Sequence, residues 1–169
     1  SRGAAVRGRI VLAERKRAED LRETIVYVEL QEASDAIGRA VRLYCERSRS
    51  DPARGRHAGW TWTLLDARQE PAATSPIAFG GAVPASGWIE LPSDSTMRLR
   101  VSPWGIARAG GRLLAPSLDS VWFVADKDRH EFALSAKLIF DPEEGRGTVT
   151  DPHIWRGTLE LPAVRISGR

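Results

Sequence analysis

Cysteine is almost missing from this chain. Cys45 is the only one in 169 residues, so no intramolecular disulfide can staple the fold, and core burial has to carry the stability. Glu46 beside it would raise a thiol pKa and no histidine stands near it, so Cys45 reads as a small packing residue rather than a nucleophile. Lysine is scarce too: three residues (Lys16, Lys127, Lys137) stand against 22 arginines, a skew that reads as GC-rich coding. Met97 is the sole methionine and the sequence opens at Ser1. That is compatible with processing behind a leader or with an engineered fragment, so an extracytoplasmic location stays open and no compartment is assigned. No apolar run approaches the roughly 20 residues of a membrane-spanning helix, so no span is expected. The sequence also contains no G-x-S-x-G elbow, Walker loop, G-x-G-x-x-G turn or H-E-x-x-H pair, and neither a cofactor, a metal nor a catalytic set is expected from it.

With 42% hydrophobic and 28% charged residues the chain has the composition of an ordinary globular protein. Its length suits one domain over residues 1–169, because a core of this size can bury roughly 70% of the unfolded surface. The formal net charge of +3 is unevenly spread: residues 1–57 carry 13 basic against 9 acidic groups, and residues 58–169 carry 12 against 13. Glu14, Glu19, Asp20 and Glu23 are interspersed among the N-terminal arginines, which disfavours nucleic-acid binding, where cations usually gather on one face among exposed aromatics.

What the chain does have is tryptophan on alternating patterns. Trp60 and Trp62 lie in Gly59-Trp60-Thr61-Trp62-Thr63-Leu64-Leu65, Trp88 opens Trp88-Ile89-Glu90-Leu91, and Trp122 lies in Val121-Trp122-Phe123-Val124. Aromatic and β-branched residues with period-two alternation, bounded by Gly, Pro, Asp and Ser, are what half-buried antiparallel strands need. Strands are predicted over Val6 to Ala13, Thr24 to Gln31, Gly87 to Leu91, Thr96 to Val101, Ser120 to Val124, Glu131 to Phe140 and Ile154 to Ile166, besides the Trp60 segment. On the first of these Arg7 and Arg9 share a face opposite Val6, Ile10 and Leu12; Arg98 and Arg100 likewise alternate with Met97, Leu99 and Val101. Ser34 to Ser48 fits both periods and is read as a short helix or turn leading into a strand. The charged run Glu14 to Glu23 reads as a solvated linker, and Ser48 to Gly59, Gln69 to Gly87, Pro103 to Leu118 and Asp141 to Gly147 as loops. With no βαβ rhythm, the predicted fold class is all-β: an antiparallel β-sandwich of about nine short strands with at most one short helix. In Glu90-Leu91-Pro92 and Glu160-Leu161-Pro162 the proline lacks an N–H for a central ladder, which places both at strand ends, bulges or edges.

The opening, Gly8-Arg9-Ile10 followed by Val26-Tyr27-Val28-Glu29-Leu30, resembles small β-sandwich lipoproteins of bacterial envelopes over less than a quarter of the chain. No function is carried over from that resemblance.

Three groups of residues carry candidate chemistry. Asp126-Lys127-Asp128-Arg129-His130-Glu131 is the densest polar cluster, and with His153 it could serve a hydrolase or lyase if the segments converged. The alternation of acids with Lys127 and Arg129 reads instead as a solvated hairpin turn, and His57, His130 and His153 as surface residues. Trp88, Trp104 and Trp155 stand beside loops and are the tryptophans expected at the surface, whereas Trp62 with Leu64 and Trp122 with Val124 are expected in the core. Exposed flat rings could form a carbohydrate platform. The preferred reading is a non-enzymatic module that binds another protein, or its own copy, through loop tips or a sheet edge, with Trp88, Trp104, Arg108, Arg112 and Trp155 as its binding residues.

Overall fold

A computed structural model describes residues 5–16, 22–33, 40–45, 58–76, 87–118, 121–140 and 153–168. These form twelve strands and no α-helix. In chain order they are β1 (Val6–Lys16), β2 (Arg22–Glu32), β3 (Val41–Cys45), β4 (Ala58–Asp66), β5 (Ala73–Pro76), β6 (Gly87–Leu91), β7 (Thr96–Arg100), β8 (Ala107–Ala109), β9 (Arg112–Pro116), β10 (Val121–Asp126), β11 (Glu131–Phe140) and β12 (Gly157–Ser167). A 3-10 turn over Lys127–Arg129 is the sole helical piece among the described residues.

The strands pair antiparallel in four sheets, ordered β1-β2-β7, β3-β6, β12-β11-β4 and β5-β10-β9-β8. Alternation aims one set of side chains from every sheet into one contiguous apolar cluster: Val28 and Leu30, Leu43, Trp60 and Leu64, Leu113 and Phe123, Phe132, Leu134, Ala136, Leu138 and Leu161. The result is a sandwich-like all-β fold, as the strand patterns lead one to expect. On β11 the five residues Phe132, Leu134, Ala136, Leu138 and Phe140 are all buried. At roughly 1.5–3 kcal/mol for each large side chain taken out of water, such faces supply most of what opposes the chain entropy.

Both prolines behave as the missing N–H requires. Pro92 immediately follows β6 and accepts the Ser95 N–H in a turn. Pro162 lies in a bulge, since β12 is registered Leu161 to Ala136 and Val164 to Leu134, so that Pro162 and Ala163 face Ser135 alone.

Several segments differ from their sequence reading. The strand β1 runs on through Glu14 and Lys16, where Thr24 donates to Glu14, so much of the presumed linker is paired. Within the presumed loop Gln69 to Gly87, Ala73–Pro76 pairs with β10 as a short edge strand. Pro103 to Leu118 contains the β8–β9 hairpin, closed by Gly110 and Gly111 at φ 58° and 75°. Two adjacent residues with positive φ match the twist of a two-residue hairpin, which a Gly-Gly pair adopts without strain. Trp122 and Val124 are only half-buried, whereas Val121, Phe123 and Ala125 turn inward. Alternation identifies two faces but not which one the rest of the protein covers. The Asp126 to Glu131 segment is not a hairpin turn: β10 and β11 belong to different sheets, and the 3-10 turn carries the chain between them. Helix or turn within 34–39, and the loops over 46–57, 77–86 and 141–152, lie outside the described residues.

Candidate binding surface

The outward side of the β1-β2-β7 sheet is built in registered rows. Arg7 faces Gln31 and Thr96, Arg9 faces Glu29 and Arg98, and Val11 faces Tyr27 and Arg100. Residues directly opposite one another on neighbouring strands project to the same side, so the two Arg-x-Arg runs of β1 and β7 flank one central strand. Glu29 is the hub. Its Oε1 accepts from Arg9 Nε at 2.8 Å, and its Oε2 accepts from Arg98 Nε and Nη2 at 3.2 and 2.9 Å. The Glu29 side chain is 10% exposed while those of Arg9 and Arg98 are 72% and 51% exposed. Hydrogen bonds from Arg98, and then from Arg9, hold its carboxyl below the ordinary value of 4.5 against the opposing effect of burial. Arg7 Nε donates to Gln31 Oε1 at 3.0 Å, and the Arg98 guanidinium lies 5.2 Å from the centre of the Tyr27 ring. Between these side chains runs a shallow groove of ≈ 360 Å³ over Gly8, lined by Arg7, Arg9, Glu29, Gln31 and Thr96.

At the β7 end this face is bordered by Trp104, a residue 53% exposed. The corner that carries it is tied down at every residue. Arg100 donates from Nε to Ser102 O and from Nη2 to Pro103 O, both at 3.0 Å. Trp104 N–H donates to Ser102 Oγ, Gly105 N–H to Glu23 Oε1 at 3.1 Å, and Ile106 N–H to Thr24 O at 2.7 Å. Glycine at 105 is a steric necessity, because a Cβ there would sit 2.5 Å from Glu23 Cγ and 2.7 Å from Thr24 O. The indole is thus presented from a braced corner.

The remaining candidates are scattered. Arg108 donates to Ser167 O at 2.9 Å, joining the β8–β9 hairpin to the end of β12, and Arg112 is exposed beside the hairpin turn. The arginine that touches the Trp104 corner is Arg100. Trp88 is 46% exposed on β6, packed edge-on to Tyr44 at 5.4 Å and Phe140 at 6.0 Å, with the Arg42 guanidinium over its ring at 4.8 Å. Trp155 is 5% exposed, which corrects the expectation of a surface ring. Its backbone N–H donates to Arg42 O while Arg42 N–H donates to His153 O, and this stitch beside β3 draws the indole into the core.

His130 and His153 do not converge. His130 precedes β11 and its carbonyl accepts from Gly168, whereas His153 precedes β12 at the end of the sheet where Phe140 faces Gly157. Roughly 30 Å of β11 separates those ends at the usual strand rise. Asp126, at the end of β10, and Asp128, on the 3-10 turn, are exposed, with Asp128 N–H donating to Asp126 Oδ1. The ionic cluster nearby uses a residue the sequence reading passed over. Asp66, at the end of β4, accepts the Arg68 and Glu70 N–H groups and the guanidinium of Arg129, which also pairs with Glu70 at 2.9 Å. Those bonds, led by the Glu70 N–H, hold the Asp66 carboxyl below its ordinary 3.8, and Asp66 and Glu70 in turn raise the Arg129 pKa. A carboxylate so saturated with donors is a brace for the β4–β5 corner and a poor general acid. Among the described residues, no three His, Cys, Asp or Glu side chains gather in a way that could hold a metal ion, and no helix is long and apolar enough to cross a membrane.

Comparison of the chain with protein-family models, with curated proteins and with solved structures found no match.

Proposed function

We propose that this chain is a non-enzymatic binding module that engages another protein, or a second copy of itself, through the Trp104 corner. The carrying observation is a tryptophan 53% exposed on a corner whose backbone is hydrogen-bonded on both sides. Tryptophan and arginine dominate interface hot spots, and a binding residue that is already ordered loses little further entropy when a partner covers it. Arg100 beside it supplies the polar half of that pairing. The two rival readings have weaker support. A hydrolase or lyase using Asp126, Asp128, His130 and His153 lacks a common concavity, with the two histidines at opposite ends of β11. A carbohydrate platform would need open aromatic faces, whereas Trp155 is buried and Arg42 lies over Trp88.

Trp104→Ala is the direct test, with association followed by sedimentation for self-assembly and by pull-down for a heterologous partner. Loss of a hot-spot aromatic should weaken association by about 2 kcal/mol or more, roughly 30-fold, while a half-exposed ring leaves the melting temperature nearly unchanged. Unaltered association, or a melting temperature lowered by many degrees, overturns the reading.

A further inference from the structure

We propose that the outer face of the β1-β2-β7 sheet is a docking face for an extended acidic segment of a partner protein. The inference rests on the protein-binding reading above and deepens it by naming the partner's chemistry. Its basis is the row geometry. Arg7 and Arg9 are alternate residues on one strand, so their stems stand about 6.7 Å apart, the same repeat at which an extended peptide presents alternate side chains. Arg98 and Arg100 repeat that spacing two strands away, about 9.6 Å across the sheet. A chain lying in the groove over Gly8 therefore meets Arg7 and Arg9 along one flank at its own side-chain period, with Arg98 across Glu29 from Arg9.

Glu29 organises these groups without exhausting them. Arg9 and Arg98 each turn the Nε–Nη2 edge toward one carboxylate oxygen, which leaves the remaining N–H groups of each fork for another acceptor. Both guanidinium planes are thereby held before any ligand arrives. The Tyr27 ring decides between peptide and nucleic acid, because single strands bind basic sheets by stacking bases on open aromatic faces. Here Arg98 lies over that ring, and the rows offer no other aromatic side chain. With a chain net charge of only +3, long-range attraction for a polyphosphate is also weak.

The test uses the full chain and a fluorescently labelled peptide of alternating glutamate and threonine, read by anisotropy at low salt and at about 0.15 M salt. Controls are an alternating lysine–threonine peptide and a thymine-only DNA strand of the same length. The glutamate peptide should bind in preference to both, and less tightly as salt rises. Joint Arg7→Gln and Arg9→Gln substitution should weaken it about tenfold or more while the chain stays folded, with a modest drop in melting temperature from the lost Arg9–Glu29 pair. Glu29→Gln should move it the other way, tightening binding severalfold by removing the opposing charge. Peptide binding that ignores these substitutions, or that the lysine peptide matches, overturns the docking face. So does tighter binding of the DNA strand with the same arginine dependence, which would assign the face to nucleic acid. Failure of the peptide arm with Trp104-dependent association intact sinks the docking face alone; loss of that association sinks the corner reading.

Discussion

Two sheets of this protein give similar inner faces to the core and have unlike outer faces. Inside, β1-β2-β7 contributes Ile10, Val26, Val28 and Leu30, and β4-β11-β12 contributes Trp62, Leu64, Phe132, Leu134 and Leu138, all buried. Outside, β4, β11 and β12 carry Thr61, Thr63, Leu65, Ala133, Ser135, Ile139 and Arg165, with an exposed pair between Lys137 and Glu160 at 3.7 Å. Threonine, small or β-branched residues and a weak ion pair are what strand propensity and solvation ask of an outer face. The outer face of β1-β2-β7 instead holds Arg7, Arg9, Arg98 and Arg100 around a buried carboxylate. The first arrangement shows that an outer face can be built with little charge, so the arginine rows, besides bracing Glu29 and the Trp104 corner, are what sets this sheet apart.

The largest test of that comparison attacks the likeness. Phe132→Ala in one sheet should lower stability by about 3–5 kcal/mol and Leu30→Ala in the other by about 2–5 kcal/mol, each through lost transfer energy plus a cavity. Urea unfolding would measure both, and a much smaller loss for Leu30→Ala would mean that the inner faces are not equivalent. Next in size is Gly105→Ala. The forced contact with Glu23 and Thr24 should cost about 1–3 kcal/mol and displace the corner, seen as lowered stability together with a shifted Trp104 fluorescence.

The smallest effects sharpen the difference between the outer faces. Lys137→Gln should change stability by no more than about 0.5 kcal/mol at any pH. Glu29→Gln should be destabilising at neutral pH and converge with the wild type in acid. The sign follows from the lowered Glu29 pKa: its charge contributes fully above the ordinary 4.5, and that contribution disappears as pH falls through the depressed value in the folded state. Melting temperatures taken across the acid range would show the two curves closing, and parallel curves would contradict the Arg9–Glu29–Arg98 linkage.

Much of the fold was legible because period-two alternation is a local property. The predicted Gly87 to Leu91 and Glu131 to Phe140 strands coincide with β6 and β11. Short edge strands were not legible, since β5, Ala-Thr-Ser-Pro, has no apolar pattern and is a strand through its pairing with β10. Trp122 and Trp155 were misplaced for a related reason: burial depends on what is stacked above a face, which no window of sequence contains. The candidate binding surface was visible only in halves. Arg7 with Arg9, and Arg98 with Arg100, each stood out as outward-facing pairs, but their meeting on either side of β2 is a matter of tertiary pairing. Trp104 was expected at the surface from its place in the Pro103 to Leu118 segment, whereas Arg100 as its neighbour, in place of Arg108 and Arg112, was not.

The pairing of β2 with β7 also has a kinetic consequence. Glu29 and Arg98 are 69 positions apart in the chain, and Arg129 and Asp66, which tie β4 to the turn before β11, are 63 apart. Hairpins such as β1–β2 and β8–β9 close over short loops, but these two closures must order long stretches first, which places the protein among slow, millisecond-to-second folders. The second arginine row reaches the first only when the β2–β7 closure is made. A nascent or truncated chain ending before β7 would show the Arg7–Arg9 edge alone, so a partner that needs both rows would discriminate finished molecules from unfinished ones.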